Sequence, residues 1–153
     1  MQFKRIQEML DNIGLGNPRI DGVARSSESE WFVAFEEEIA AVVEWAESPP
    51  RLVFSAPVGR PPVDRRFVVY ESLLSFNALW RDGAGCRLGL NGGDGEVVAL
   101  LDVFADDLTP ASLEEALYEF SRLALQWRAY VEAAPQALSL PPPHPMLLAG
   151  LRA

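Results

Sequence analysis

The chain has 153 residues, 49% of them hydrophobic and 23% charged, which is one domain's length and enough to bury a core without metals or disulfides. Thirteen Lys and Arg against 22 Asp and Glu give a net charge of −9 at pH 7, a surface that repels phosphate backbones and anionic lipid, so nucleic-acid and membrane partners are not expected. One cysteine, Cys86, excludes an internal disulfide and a zinc cluster, and one histidine, His144, excludes a two-histidine metal site and argues against a serine–histidine triad.

Charged residues among Lys4, Arg5, Glu8 and Asp11 break any signal-peptide apolar region, and no apolar run is long enough to span a bilayer. The expectation is a cytoplasmic protein. Residues 3–13 carry Phe3, Ile6, Met9, Leu10 and Ile13 at helical spacing. Gly14 and Gly16 stop that helix, and Pro18 prevents its resumption. Its narrow stripe either docks on the chain's own core or is offered to a partner. Residues 22–30 are polar and serine-rich and read as a loop.

Three short runs follow, each β-branched or aromatic and bounded by turn formers. Trp31-Phe32-Val33-Ala34-Phe35 is the first, with aromatics pointing to both faces. Glu36-Glu37-Glu38 makes a turn, residues 39–45 form the second run, and Arg51-Leu52-Val53-Phe54-Ser55-Ala56 the third. The connections are too short for parallel crossovers, so a three-stranded antiparallel meander is predicted.

Residues 65–80 fit a helix with two apolar stripes. Phe67, Tyr70, Leu74 and Ala78 form one, and Val69, Leu73, Phe76 and Trp80 lie nearly opposite. A surface helix needs one buried stripe, so two imply a homodimer seam or a fully buried internal helix. A strand over Phe67-Val68-Val69-Tyr70 is a further alternative. Two strands are predicted at 87–90 and 97–104, joined by the hairpin signal Asn91-Gly92-Gly93-Asp94-Gly95. Thr109 then caps a long helix with Pro110 in its first turn and Glu114 and Glu115 near its positive end. After Ala133 the prolines 135, 141, 142, 143 and 145 rule out helix or central strand. The domain is placed at 1–132 and an extended or disordered tail at 133–153.

No motif assembles a catalytic centre. The Gly83-Ala84-Gly85 turn has the wrong spacing for a dinucleotide fingerprint and precedes a strand, so it offers phosphate no helix N-terminus. The three consecutive glutamates point to alternating faces and read as a solvated turn rather than a cation site. Asp106 and Asp107 are explained by helix capping. Cys86 reads as an inert core thiol, and His144 has no acidic or hydroxyl neighbour. No catalytic residue, metal or cofactor is assigned. The rival is a small ligand-binding or hydrolase-like enzyme using Cys86, and a third possibility is a dimeric scaffold subunit.

Residues 70–80, Tyr-Glu-Ser-Leu-Leu-Ser-Phe-Asn-Ala-Leu-Trp, run into the glycine-containing turn Asp82-Gly83-Ala84-Gly85 and resemble the central helix of the class I type III secretion chaperones, the Tir-chaperone family. Val97-Val98-Ala99-Leu100-Leu101 followed by Asp106-Asp107-Leu108-Thr109-Pro110 looks like that family's last strand and final-helix entry. The resemblance covers 1–132 in element order and is close in sequence over 70–130. It implies an α+β two-layer sandwich, an antiparallel sheet with helices in the order α-β-β-β-α-β-β-α, assembled as a bacterial cytoplasmic homodimer. It also implies binding of the N-terminal segment of a type III effector, kept competent for secretion. The proline-rich tail departs from the family pattern and is open to contact the effector, the secretion ATPase or nothing.

On this basis Val69, Leu73, Phe76 and Trp80 are expected at the dimer seam, with the Phe67, Tyr70 and Leu74 stripe as the alternative. The first helix, through Phe3, Ile6, Met9, Leu10 and Ile13, and the sheet aromatics Phe32, Trp45 and Phe54 are expected to meet the effector, with ordinary core burial of these aromatics weighed equally. A partner strand along the sheet edge is a further possibility.

Overall fold

The computed structural model describes residues 1–13, 16–79, 81, 85–134 and 141–143. Its elements are α1 (Gln2–Asn12), β1 (Ile20–Arg25), β2 (Glu30–Phe35), β3 (Ala40–Glu47), β4 (Pro50–Pro57), α2 (Arg66–Ala78), β5 (Arg87–Asn91), β6 (Glu96–Phe104) and α3 (Pro110–Val131). The six strands form one antiparallel sheet in the order β1-β2-β3-β4-β6-β5. The α+β sandwich is as expected, with one strand more than the predicted order.

That strand is β1, in the segment read as a loop. Its composition is weak, and only Ile20 is buried. Pairing with β2, Gly22 against Ala34 and Ala24 against Phe32, holds it in extended form. A register shift between Ile20 and Gly22 puts Asp21 in a bulge. Tertiary pairing here overrides a polar sequence. The predicted three-stranded meander is the β2-β3-β4 part of the sheet. Over residues 67–70 the helix prevails, as the first two turns of α2.

Alternation along the strands sorts the two faces. Trp31, Val33, Phe35, Val43, Leu52, Phe54, Val97 and Leu101 point inward and are buried. All three helices pack on that side: Phe3 of α1 lies 6.4 Å from Trp31, Phe120 of α3 lies 5.7 Å from Phe54, and Phe76 of α2 lies 5.3 Å from Trp127 of α3. Among the described residues nothing is layered on the other face. The safest prediction, the capped last helix, is present: Thr109 Oγ1 accepts from the Ser112 amide at 3.1 Å while the Thr109 amide donates to Ser112 Oγ at 2.9 Å. Glu114 and Glu115 lie one turn further in and bond Asn17 and Arg19 instead of the free amides. The predicted tail falls mostly outside the described residues.

Candidate partner-binding surfaces

Which stripe of α2 faces outward is decided by polar anchors at both ends. Arg65, in the turn before the helix, is buried, and its guanidinium Nη1 donates to the Tyr130 carbonyl at 2.7 Å and the Ala133 carbonyl at 3.0 Å. It also lies 5.2 Å from the centre of the Tyr130 ring. Ser72 Oγ is 2.7 Å from Tyr130 Oη. At the other end, Asn77 Nδ2 donates to the Leu88 carbonyl at 2.8 Å, and the Leu88 amide donates to Asn77 Oδ1 at 2.9 Å. These contacts fix the rotation of α2 between α3 and the edge strand β5.

The consequence corrects the expected seam. Val69, Leu73 and Phe76 are at most 4% exposed and belong to the protomer's own core, so they have no surface to give a partner. The opposite side carries the free apolar groups: Phe67 is 78% exposed and Leu74 is 72% exposed, with Val68 and Leu79 also exposed. The stripe of Phe67, Tyr70 and Leu74 is therefore the outward one, with Tyr70 half-buried at its margin. Trp80 lies outside the described residues.

The expected effector contacts divide in the same way. Ile6 and Leu10 are wholly buried, Ile13 nearly so, and Phe54 is sealed under Phe120. These four are core, because the helical stripe of α1 and the inward parity of β4 turn them to the sheet–helix interface. Phe3 and Met9 are half-buried at its edge. Phe3 lies 5.6 Å from the ring of Trp45, whose indole N–H is buried without a partner. The first turn of α1 is tied down by Gln2 Nε2 to Asp106 Oδ1 at 3.1 Å and by Arg5 Nη2 to the Ala105 carbonyl at 2.8 Å. Asp106 thus serves α1 rather than capping α3. Met9 borders a cleft of about 320 Å³ between α1 and the start of α3, beside Glu8, Pro110 and Glu114. Phe32 points to the uncovered side of the sheet and is 47% exposed.

The two edges of the sheet differ. The Asn77 side chain occupies the outer N–H and C=O of Leu88 on β5. On the outer side of β1 no strand pairs among the described residues. Sequence reasoning missed this edge because it missed β1, and the bulge-forming Ile20-Asp21-Gly22 was the only local sign of it.

The chemistry of the rival enzyme fails at its proposed nucleophile. Cys86 is buried, and burial pushes its thiol up to about 12, so at neutral pH it is a protonated, inaccessible thiol. Gly83, Ala84 and His144 lie outside the described residues. Glu37 and Glu38 adopt positive φ, and their carbonyls accept from Arg128, with Nη2 to Glu37 at 2.8 Å. Among the described residues no group of carboxylate, thiol or imidazole side chains is arranged to hold a metal, and no helix is long and apolar enough to cross a membrane.

Residues 30–128, from β2 to near the end of α3, match the model of the Tir chaperone protein (CesT) family. The chain belongs to that family. The CesT match takes in the whole of α2 and both of its anchors to β5, but starts after β1. Among curated protein sequences none matches. Solved structures similar to this CesT-family chain include the ExsC–ExsE complex, with a TM-score of 0.65 at 20% identity over 86% of this chain and 97% of that one. The HopA1–SchA chaperone–effector complex aligns with a TM-score of 0.58 at 17% identity, over 82% of this chain and 87% of its own. The heterodimeric ExoU–SpcU complex from the type III secretion system of Pseudomonas aeruginosa aligns with a TM-score of 0.59 at 16% identity, over 83% and 98% respectively. At these identities the likeness concerns the fold.

Proposed function

We propose that this chain is a cytoplasmic type III secretion chaperone, a homodimer without catalysis that binds the N-terminal segment of an effector and keeps it competent for secretion. Membership of the Tir chaperone family carries the proposal. The complexes of similar fold support it, since one is a chaperone with its effector and another belongs to a type III secretion system.

The surfaces divide between the two tasks. The Phe67, Val68, Leu74 stripe of α2 is assigned to the seam between protomers, because exposed apolar groups in a helical row are stabilised by burial against a copy. The free edge of β1 is assigned to an added effector strand, whose main chain would find unpaired N–H and C=O groups there. Phe3, Met9, Phe32 and Trp45 retain surface and are kept as effector contacts.

The test is capture of tagged protein from a secretion-competent lysate of its own cells, with bound protein identified by mass spectrometry after limited proteolysis. One exported protein retained through a fragment near its N-terminus is the expected result. Recovery of only a folded housekeeping protein or a small metabolite overturns the proposal. Light scattering gives the second arm: a dimer has twice the chain mass of 16.9 kDa, and a monomer at micromolar concentration refutes the seam.

A further inference from the structure

The six-stranded sheet has a second face, which no helix covers among the described residues. Pairing across the strands sets what it displays. One row runs Ala24, Phe32, Val42, Ser55, Leu100, Arg87. The next runs Glu30, Glu44, Val53, Asp102. Phe32 is exposed, and Val42, Val53 and Leu100 are half-buried around Ser55, so the centre of the face is mostly apolar.

Its charges are divided by side. Toward β5, Asp102 is neutralised by Arg87, at 3.0 and 3.3 Å, and approached by Arg51 at 3.6 Å. Two cations thus meet one anion at that end, and further along the same strand Glu96 is met by Arg60 at 3.4 Å, so this side carries its own counter-charges. Toward β2 and β3, Glu30 and Glu44 are directly opposed across neighbouring strands, a like-charge pairing that costs the free protein stability. Ser26 Oγ donates to Glu30 Oε1 at 2.5 Å, and among the described residues neither carboxylate forms an ion pair. A cation brought by a partner would relieve it.

The backbone decides what shape the partner takes. On a sheet face the strand N–H and C=O groups point sideways into the ladders and offer nothing to a molecule lying on top. An extended segment laid there would bury its own main-chain polar groups unpaired, whereas a helix brings them already paired. We propose that this face docks an amphipathic helix of the exported partner, its apolar stripe over Val42, Val53 and Leu100, with Lys or Arg on the flank above Glu30 and Glu44. The inference rests on the chaperone reading for the source of the helix, but not for its chemistry. It assigns a second mode of contact, separate from strand addition at β1.

The test uses the full chain and two synthetic peptides of about 18 residues, which as helices span about 27 Å. Both carry the same leucine stripe and the same glutamates on one flank; the other flank is lysine in the first and glutamate in the second. Calorimetric titration at low salt is expected to give about tenfold tighter binding of the lysine peptide, with the difference lost in high salt. The double variant E30K/E44K, checked by circular dichroism, should reverse the preference, and Phe32→Ser should weaken both peptides. Equal affinities, no binding of the lysine peptide, or no reversal in the double variant overturns the inference. So does a change in oligomeric mass of E30K/E44K, which would give the face to a second copy. The peptides do not depend on the cargo: failure of effector capture with a charge-reversed peptide preference removes the export reading alone. Successful capture with indifferent peptides removes this inference alone.

Discussion

Arg65 is the most heavily committed polar residue in the fold, and replacing it tests the account of why α2 sits as it does. The side chain is 7% exposed, yet among the described residues it forms no ion pair with a carboxylate. Its charge is offset by the carbonyls at the end of α3, where the helix dipole is negative, and by the face of Tyr130. Two charge-assisted hydrogen bonds contribute about 1.5–3 kcal/mol each, and about half of that sum is returned when the buried cation is no longer desolvated. Arg65→Met should therefore lower stability by about 1.5–3 kcal/mol. For a chain of this size that is a fall in Tm of about 3–12 °C, read at fixed protein concentration because any self-association shifts Tm by mass action. Arg65→Lys keeps the charge without the fork and should recover part of the loss. A change below about 0.5 kcal/mol for Arg65→Met in urea unfolding would refute the idea that this guanidinium anchors α2 to the end of α3.

Three other outcomes follow from the same geometry. Phe67→Glu with Leu74→Glu should give a monomer by light scattering with an unchanged circular dichroism spectrum, whereas Phe76→Ala, in the core against Trp127, should cost about 3–5 kcal/mol in unfolding. Asn77→Ala should destabilise by about 1–2 kcal/mol and speed amide exchange at Leu88, whose N–H and C=O lose their partner. Cys86 should be inert to a thiol reagent at pH 8 until the chain is unfolded. Because burial raises its folded pKa to about 12 from an ordinary value of 9.0, its contribution to stability is fully present below pH 9 and is lost as pH rises toward 12. In Cys86→Ala that alkaline component should be absent.

Local chemistry made much of this fold legible. The Thr109 cap, the proline after it and the long stripe from Leu113 to Val131 state a helix by themselves, and the Asn91–Gly95 turn states a hairpin. What local chemistry did not hold was the choice between equivalent apolar stripes. Val69, Leu73 and Phe76 and their opposites Phe67 and Leu74 have the same period and similar hydrophobicity. The choice was made by Arg65, Ser72 and Asn77 reaching residues 130, 133 and 88, contacts that no periodicity records. The strand β1 was hidden for a related reason, since its extended form comes from pairing with β2 and not from its own side chains.

The same contacts bear on where a partner strand can enter. An edge strand with free N–H and C=O groups is a template for pairing with any extended chain, and proteins blunt such edges. Here the two edges are treated differently. At β5 the amide of Asn77 occupies the outward groups of Leu88 in both directions, so strand growth there must first break two hydrogen bonds. At β1 protection is softer: a bulge at Asp21 and the charged Arg25, held by the carbonyls of Ser27 and Glu28, discourage a second copy without occupying the edge. One edge blocked at Leu88 and one guarded by a bulge and a charge favour strand addition on the β1 side. They oppose the end-to-end pairing of sheets that would build a fibre.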